Sequence, residues 1–143
     1  GSRKSSVNTA IKRLQEKGLV VWEKSGNGIF LRLTNEGERT LKFIERNEFK
    51  ITKPKKWDEK WRVIIFDIKE TKRGLRDKFR RTLVRIGFLK LQDSVWVYPY
   101  NCEELMTLLK ADFMMGKEIL YIIADSIEND KWAKNHFGLK TPK

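Results

Sequence analysis

Residues 61–68, Trp61-Arg62-Val63-Ile64-Ile65-Phe66-Asp67-Ile68, form a short apolar run rich in β-branched and aromatic side chains. Such a run predicts a buried central strand. After it, Leu75, Phe79, Leu83 and Ile86 recur at helical spacing and predict a helix from Thr71 to about Ile86. Phe88–Leu91 and Ser94–Tyr98 then read as two strands joined tightly at Gln92-Asp93. Asn101 is placed to cap a further helix, with Glu104 three residues on as in a capping box and Leu105, Leu108 and Leu109 facing inward. Glu118–Ala124 reads as a fourth strand, and a short helical piece follows over about 129–136. The order βαββαβ predicts a ferredoxin-like unit. Trp61 and Trp96 lie within its strands and are assigned to the core, not to a stacking platform.

Upstream, the pattern changes character at Lys53-Pro54-Lys55-Lys56. Before that run, Ser5 reads as an N-cap, and Val7, Ala10, Ile11 and Leu14 recur at three and four residues, predicting a helix that Gly18 stops. Leu19–Glu23 and Ile29–Leu33 read as strands around the turn Ser25-Gly26-Asn27-Gly28. Thr34 caps a second helix from Asn35 to about Asn47, with Glu36 and Glu38 in its first turn and Leu41 and Ile44 inward. Helix, hairpin, helix is the later half of a winged helix-turn-helix. The expected fold class is therefore α+β. A partial winged helix-turn-helix occupies 3–49, a linker 50–56, the ferredoxin-like domain 57–128, and a tail with a short helix 129–143.

Composition narrows the function. Thirty-one Lys and Arg against nineteen Asp and Glu leave a net charge of +12 in 143 residues. That balance favours a polyanionic partner, nucleic acid before an acidic membrane face, although a merely basic surface has the same charge. The excess is uneven: net +8 over residues 1–56 and +4 over 57–143. No apolar run is long enough to span a membrane. The single cysteine, Cys102, excludes an internal disulfide, and with one histidine, His136, a Cys/His zinc site is out of reach. A hydrolytic triad would have to use that same His136. The expected compartment is the cytoplasm. Gly1-Ser2 lacks an initiator Met and reads as a protease-cleavage scar.

Off the apolar stripe of the first helix lie Ser5, Ser6, Asn8, Thr9, Lys12 and Arg13. Small polar and cationic side chains are the types that enter a major groove and bond base edges and phosphates, though many solvated helix faces have this composition. Lys24 and Asn27 lie at the hairpin tip, where a wing would touch phosphate. The stretch from Lys72 to Lys90 contains, with both ends, eight basic residues and one acid, Asp77. Arg73, Arg76 and Arg80 share one helix face, while Lys78, Arg81 and Arg85 flank the other side of the seam. This helix is either a phosphate-contacting surface or a face that acids partly neutralise.

Two resemblances follow from these stretches. Ser5 to Val20, with Lys17-Gly18-Leu19-Val20 at its end, and then Leu33-Thr34-Asn35-Glu36-Gly37, resembles the recognition helix, wing and next helix of bacterial winged-helix regulators. In those families two more helices brace the recognition helix from the N-terminal side. Residues 61–68, then Glu70-Thr71-Lys72-Arg73-Gly74-Leu75-Arg76, then Leu83 to Pro99 with Gln92, Ser94, Val95 and Trp96, resemble the central domain of PaaX-type transcriptional regulators. That domain is itself similar to the small CRISPR-associated adaptation endonuclease. The resemblance covers about 57–128.

It implies a regulator that binds double-stranded DNA as a homodimer, with no cofactor, and an acyl-CoA effector is a further implied partner. The alternative it implies is a divalent-metal-dependent nuclease in which Asp67, ending the first strand, holds Mg²⁺ or Mn²⁺ with its dimer mate. An aspartate there is equally suited to capping a turn. A third reading is a non-cleaving, DNA-binding subunit of a CRISPR-related assembly.

Overall fold

The computed structural model describes residues 2–26, 28–46, 54 and 56–139, with side chains from Asn8 onward. The chain is α+β. Its first part comprises α1 (Ser2–Glu16), the antiparallel pair β1 (Val20–Ser25) and β2 (Gly28–Leu33), and α2 (Asn35–Glu45). Helix α1 begins at Ser2, so Ser5 lies within it and does not cap it. Strand β1 extends two residues beyond the expected end because Lys24 and Ser25 still pair with Ile29 and Gly28.

A compact latch explains why the motif Gly18-Leu19 and Thr34-x-x-Gly37 is needed. Thr34 Oγ1 donates to the Gly18 carbonyl at 2.6 Å and accepts from Gly37 N–H at 3.1 Å, which caps α2. The Thr34 N–H donates to the Leu19 carbonyl at 3.0 Å. Gly37 lies so close that a Cβ there would sit 2.1 Å from the Leu19 oxygen. Only glycine lets the start of α2 meet the end of α1.

The second part is β3 (Trp61–Phe66), a single 3₁₀ turn (Glu70–Lys72), α3 (Arg73–Ile86), β4 (Leu89–Gln92), β5 (Val95–Tyr98), α4 (Glu103–Asp112), β6 (Ile119–Ala124) and α5 (Lys131–Phe137). The four strands form one antiparallel sheet in the order β4-β5-β3-β6, so the 61–66 run is central, as its composition predicts. Alternation then divides the sheet. Ile64, Phe66, Trp96 and Ile119 pack beneath α3 and α4, and Trp61, Val63 and Val97 pack against Ala133 of α5 on the other face. Gly87, at φ 113°, ends α3 in a left-handed cap. Arg62 enters the core face with 8% of its side chain exposed, held by both Asp58 oxygens at 2.8 and 2.7 Å and by the Lys60 and Pro99 carbonyls. Its hydrogen bonds hold the Asp58 carboxyl below its ordinary range.

Helix α4 joins the two parts. Leu105, Met106, Leu108, Leu109 and Ala111 are all buried, so the helix is apolar on nearly every side. The sheet covers it from below, and α1, β2 and α2 cover it from above. Leu14, Val20, Leu33, Leu41 and Ile44 consequently belong to one buried cluster with Leu105 and Leu109. The Asn101 side chain accepts from Glu103 N–H at 3.0 Å. Glu104 does not complete a capping box. It faces α1 and pairs with Lys17 at 3.2 Å, a cation 87 residues away in sequence.

Candidate nucleic-acid interface

Helix α1 is anchored through Ala10 and Leu14, with Ile11 half-buried. Asn8, Thr9, Lys12 and Arg13 are exposed, and neither Lys12 nor Arg13 forms an ion pair among the described residues. The Ser5 and Ser6 side chains, and Asn27, lie outside the described residues. The exposed residues divide between two directions. Thr9 and Arg13 line a cleft of about 630 Å³ walled by Thr40 of α2 and by Asn101, Glu103 and Leu105 around the start of α4, whereas Asn8 and Lys12 are exposed outside it. Lys24 is exposed near the hairpin tip, paired across the strands with Ile29.

The hairpin is more apolar than its sequence suggests. Trp22 and Leu31 share one of its faces with Ile29, and all three line a second cleft of about 380 Å³ with Met114 and Met115. Alternation along β1 and β2 gave a signal for this face.

The three arginines expected to act together on α3 do share a flank, but as part of a closed ion network. Glu70 accepts from Arg76 at 3.0 Å and lies 3.6 Å from Arg73. Arg80 lies 3.4 Å from Asp77, donates to the Asp93 carbonyl at 3.1 Å and covers the Phe66 ring. Lys90 pairs with Asp93 beside it at 2.9 Å. The Arg73–Glu70 pair is exposed, and such pairs contribute about 0–1 kcal/mol, whereas Arg76 and Arg80 are half-buried; all three cations already have partners. The acid that ties Arg73 and Arg76 stands three and six residues before them, a pairing sequence reasoning had the signal to find. Across the seam, Lys78, Arg81 and Arg85 are exposed. Arg85 approaches only Glu45, at 3.9 Å, Lys78 lies over the Phe113 ring, and Arg81 has no ion pair among the described residues.

Asp67 is exposed just past the end of β3, and its N–H donates to the Glu118 carbonyl at 2.8 Å. Its nearest acidic neighbour in sequence, Glu70, is engaged by two arginines. Mg²⁺ and Mn²⁺ need several oxygen ligands. Among the described residues of one chain no group of three His, Cys, Asp or Glu could hold a metal ion. Cys102 is no better as a nucleophile, because burial pushes its thiol up to about 12. Among the described residues no helix is long and apolar enough to cross a membrane.

Residues 54–135 match the protein family described as the PaaX protein central Cas2-like domain. No curated protein matches the chain.

Proposed function

Because the chain belongs to the family of the PaaX protein central Cas2-like domain, we propose that it is a DNA-binding transcriptional regulator working as a homodimer. In this reading residues 3–49 are the later half of a winged helix-turn-helix, with α1 as recognition helix and the β1–β2 hairpin as wing. Residues 57–128 are a ferredoxin-like unit that pairs two copies. The observation that carries the reading is the state of α1: two buried apolar side chains fix it, while Asn8, Thr9, Lys12 and Arg13 stay exposed and no acid among the described residues pairs with Lys12 or Arg13. Asn8 and Thr9 would discriminate bases, and Lys12, Arg13 and Lys24 would bind phosphate.

Pairing has a surface suited to it. On the sheet face that carries Trp61 and Val63, residues Leu120 and Ile122 are 53% and 39% exposed, beside the half-buried Ile65 and Val95. This stretch of the face has apolar side chains and no charge, and a second copy presenting the same residues would bury it symmetrically. The paired recognition helices would then meet a two-fold symmetric site.

Selection of duplexes from a random pool, followed by competitive binding against random duplex, tests the function. The expected result is metal-independent binding whose preference is flattened by combining Asn8→Ala with Thr9→Ala. Cleavage of nucleic acid that requires Mg²⁺ or Mn²⁺ and disappears in Asp67→Ala would overturn it in favour of the nuclease.

A further inference from the structure

We propose that duplex DNA engaged by α1 is also gripped along its backbone by a second surface, formed where α2 and α3 lie side by side. Its cations are Lys42 and Arg46 of the first part and Lys78, Arg81 and Arg85 of the second. This rests on the DNA-binding reading above and adds contacts distinct from the Arg73, Arg76 and Arg80 flank.

Three observations support it. First, α2 packs directly on α3, and the contact between Arg85 and Glu45 bridges the two helices at 3.9 Å, so cations from distant parts of the sequence share one surface. Second, the cations are accessible and in excess. All five are exposed, and the described acids nearest them are Glu38, four residues before Lys42, Glu45, with a fifth of its side chain exposed, and Asp112 at the end of α4. Five cations against three described carboxylates leave a local surplus, whereas the opposite flank of α3 is matched by Glu70, Asp77 and Asp93. Third, the surface continues from α1. Thr40 of α2 faces Thr9 and Arg13 across the first cleft, and α2 meets α3 on its other side. Packed helices lie about 8–10 Å apart and the cleft sets α1 at least that far from α2, so the patch lies roughly 20 Å or more from α1. A duplex rising about 3.4 Å per base pair covers that distance in roughly six base pairs.

Exposed Val84 and Phe43, at 62% and 50%, add apolar surface among the charges. A membrane surface could use such a mixture too, but flanking α1 with cations over a few base pairs fits a rigid polyanion better.

The test is the salt dependence of binding to a selected duplex long enough to span both surfaces, for the unmodified chain and for the combined variant Lys78→Ala, Arg81→Ala and Arg85→Ala. Each lost phosphate contact flattens the plot of log affinity against log salt by about 0.9. The expected result is a slope shallower by about two to three units, with preference for the selected over the random duplex unchanged. A combined Lys42→Ala and Arg46→Ala variant is expected to flatten it by about one to two units. If the unmodified chain binds no duplex, the DNA-binding reading and this inference fall together. If it binds with a slope that both variants leave unchanged, while Asn8→Ala with Thr9→Ala still flattens preference, this inference alone falls. Binding to vesicles of phosphatidylcholine and phosphatidylserine that the triple variant abolishes, with the duplex slope unchanged, would assign the patch to a membrane surface and overturn it.

Discussion

Helices α1 and α3 are built alike and end up in different electrostatic states. Each lays an apolar seam into the same buried cluster, through Leu14 in one and Phe79 and Leu83 in the other, and each carries cations outside that seam. On α3, the flank with Arg73, Arg76 and Arg80 faces Glu70, Asp77 and the Asp93 carbonyl, which hold all three arginines. On α1, no described acid pairs with Lys12 or Arg13. The number of cations on a helix is thus a poor guide to an interface. What matters is whether the fold has already given each cation a carboxylate.

Substitutions can break this contrast at several depths. The deepest is Phe79→Ala, which removes a ring in edge contact with Phe66 and Phe113 at centroid distances of 5.1 and 5.3 Å. Urea denaturation is expected to show a loss of about 4 kcal/mol. A loss under 1 kcal/mol would mean that α3 is not seated in the core as described. Leu14→Ala removes the anchor of α1 from the cluster shared with α4 and is expected to cost about 3 kcal/mol in a single cooperative transition. Two separate transitions, with the later one unmoved, would show that α1 is not part of a common core. Gly37→Ala forces a Cβ against the Leu19 carbonyl and is expected to cost about 2 kcal/mol by the same measurement, because backbone must move. An unchanged midpoint would contradict the latch.

The gentlest change addresses the electrostatic half of the comparison. Glu70→Gln leaves the helices in place and is expected to alter stability by less than about 1 kcal/mol, since Glu70 is itself well exposed although its partner Arg76 is half-buried. It releases Arg73 and Arg76, so the salt dependence of duplex binding is expected to steepen by up to about one unit if that flank comes within reach of the backbone. A shallower slope would show that Glu70 positions these arginines for DNA and does not compete with it.

How much of this was legible in the sequence depended on whether the cause was local. The central strand at 61–66, the seam of α3 and the Thr34 cap were readable because period, cap and composition are properties of neighbouring residues. The second apolar face of α4 was not. Ala111 lies against the first part of the chain, where it lines the second cleft with Ile11 and Leu31, and a periodicity that finds Leu105, Leu108 and Leu109 has no means of naming what covers that side. Glu104 illustrates the same limit: its spacing from Asn101 fits a capping box, but Lys17 competes for it across the fold. At the candidate interface, the exposed residues of α1 followed from its stripe. Their division between an outer face and a cleft did not, because the cleft needs α2 and α4 as walls.

The most direct measurement is photo-crosslinking of the intact chain to a bound duplex from a reactive side chain at position 12, on the outer face of α1, compared with one at position 132, exposed on α5. An adduct from position 12 and none from position 132 is the predicted result. A complex that forms yet crosslinks only from position 132, or from neither, would contradict the assignment of α1 as the helix that meets DNA.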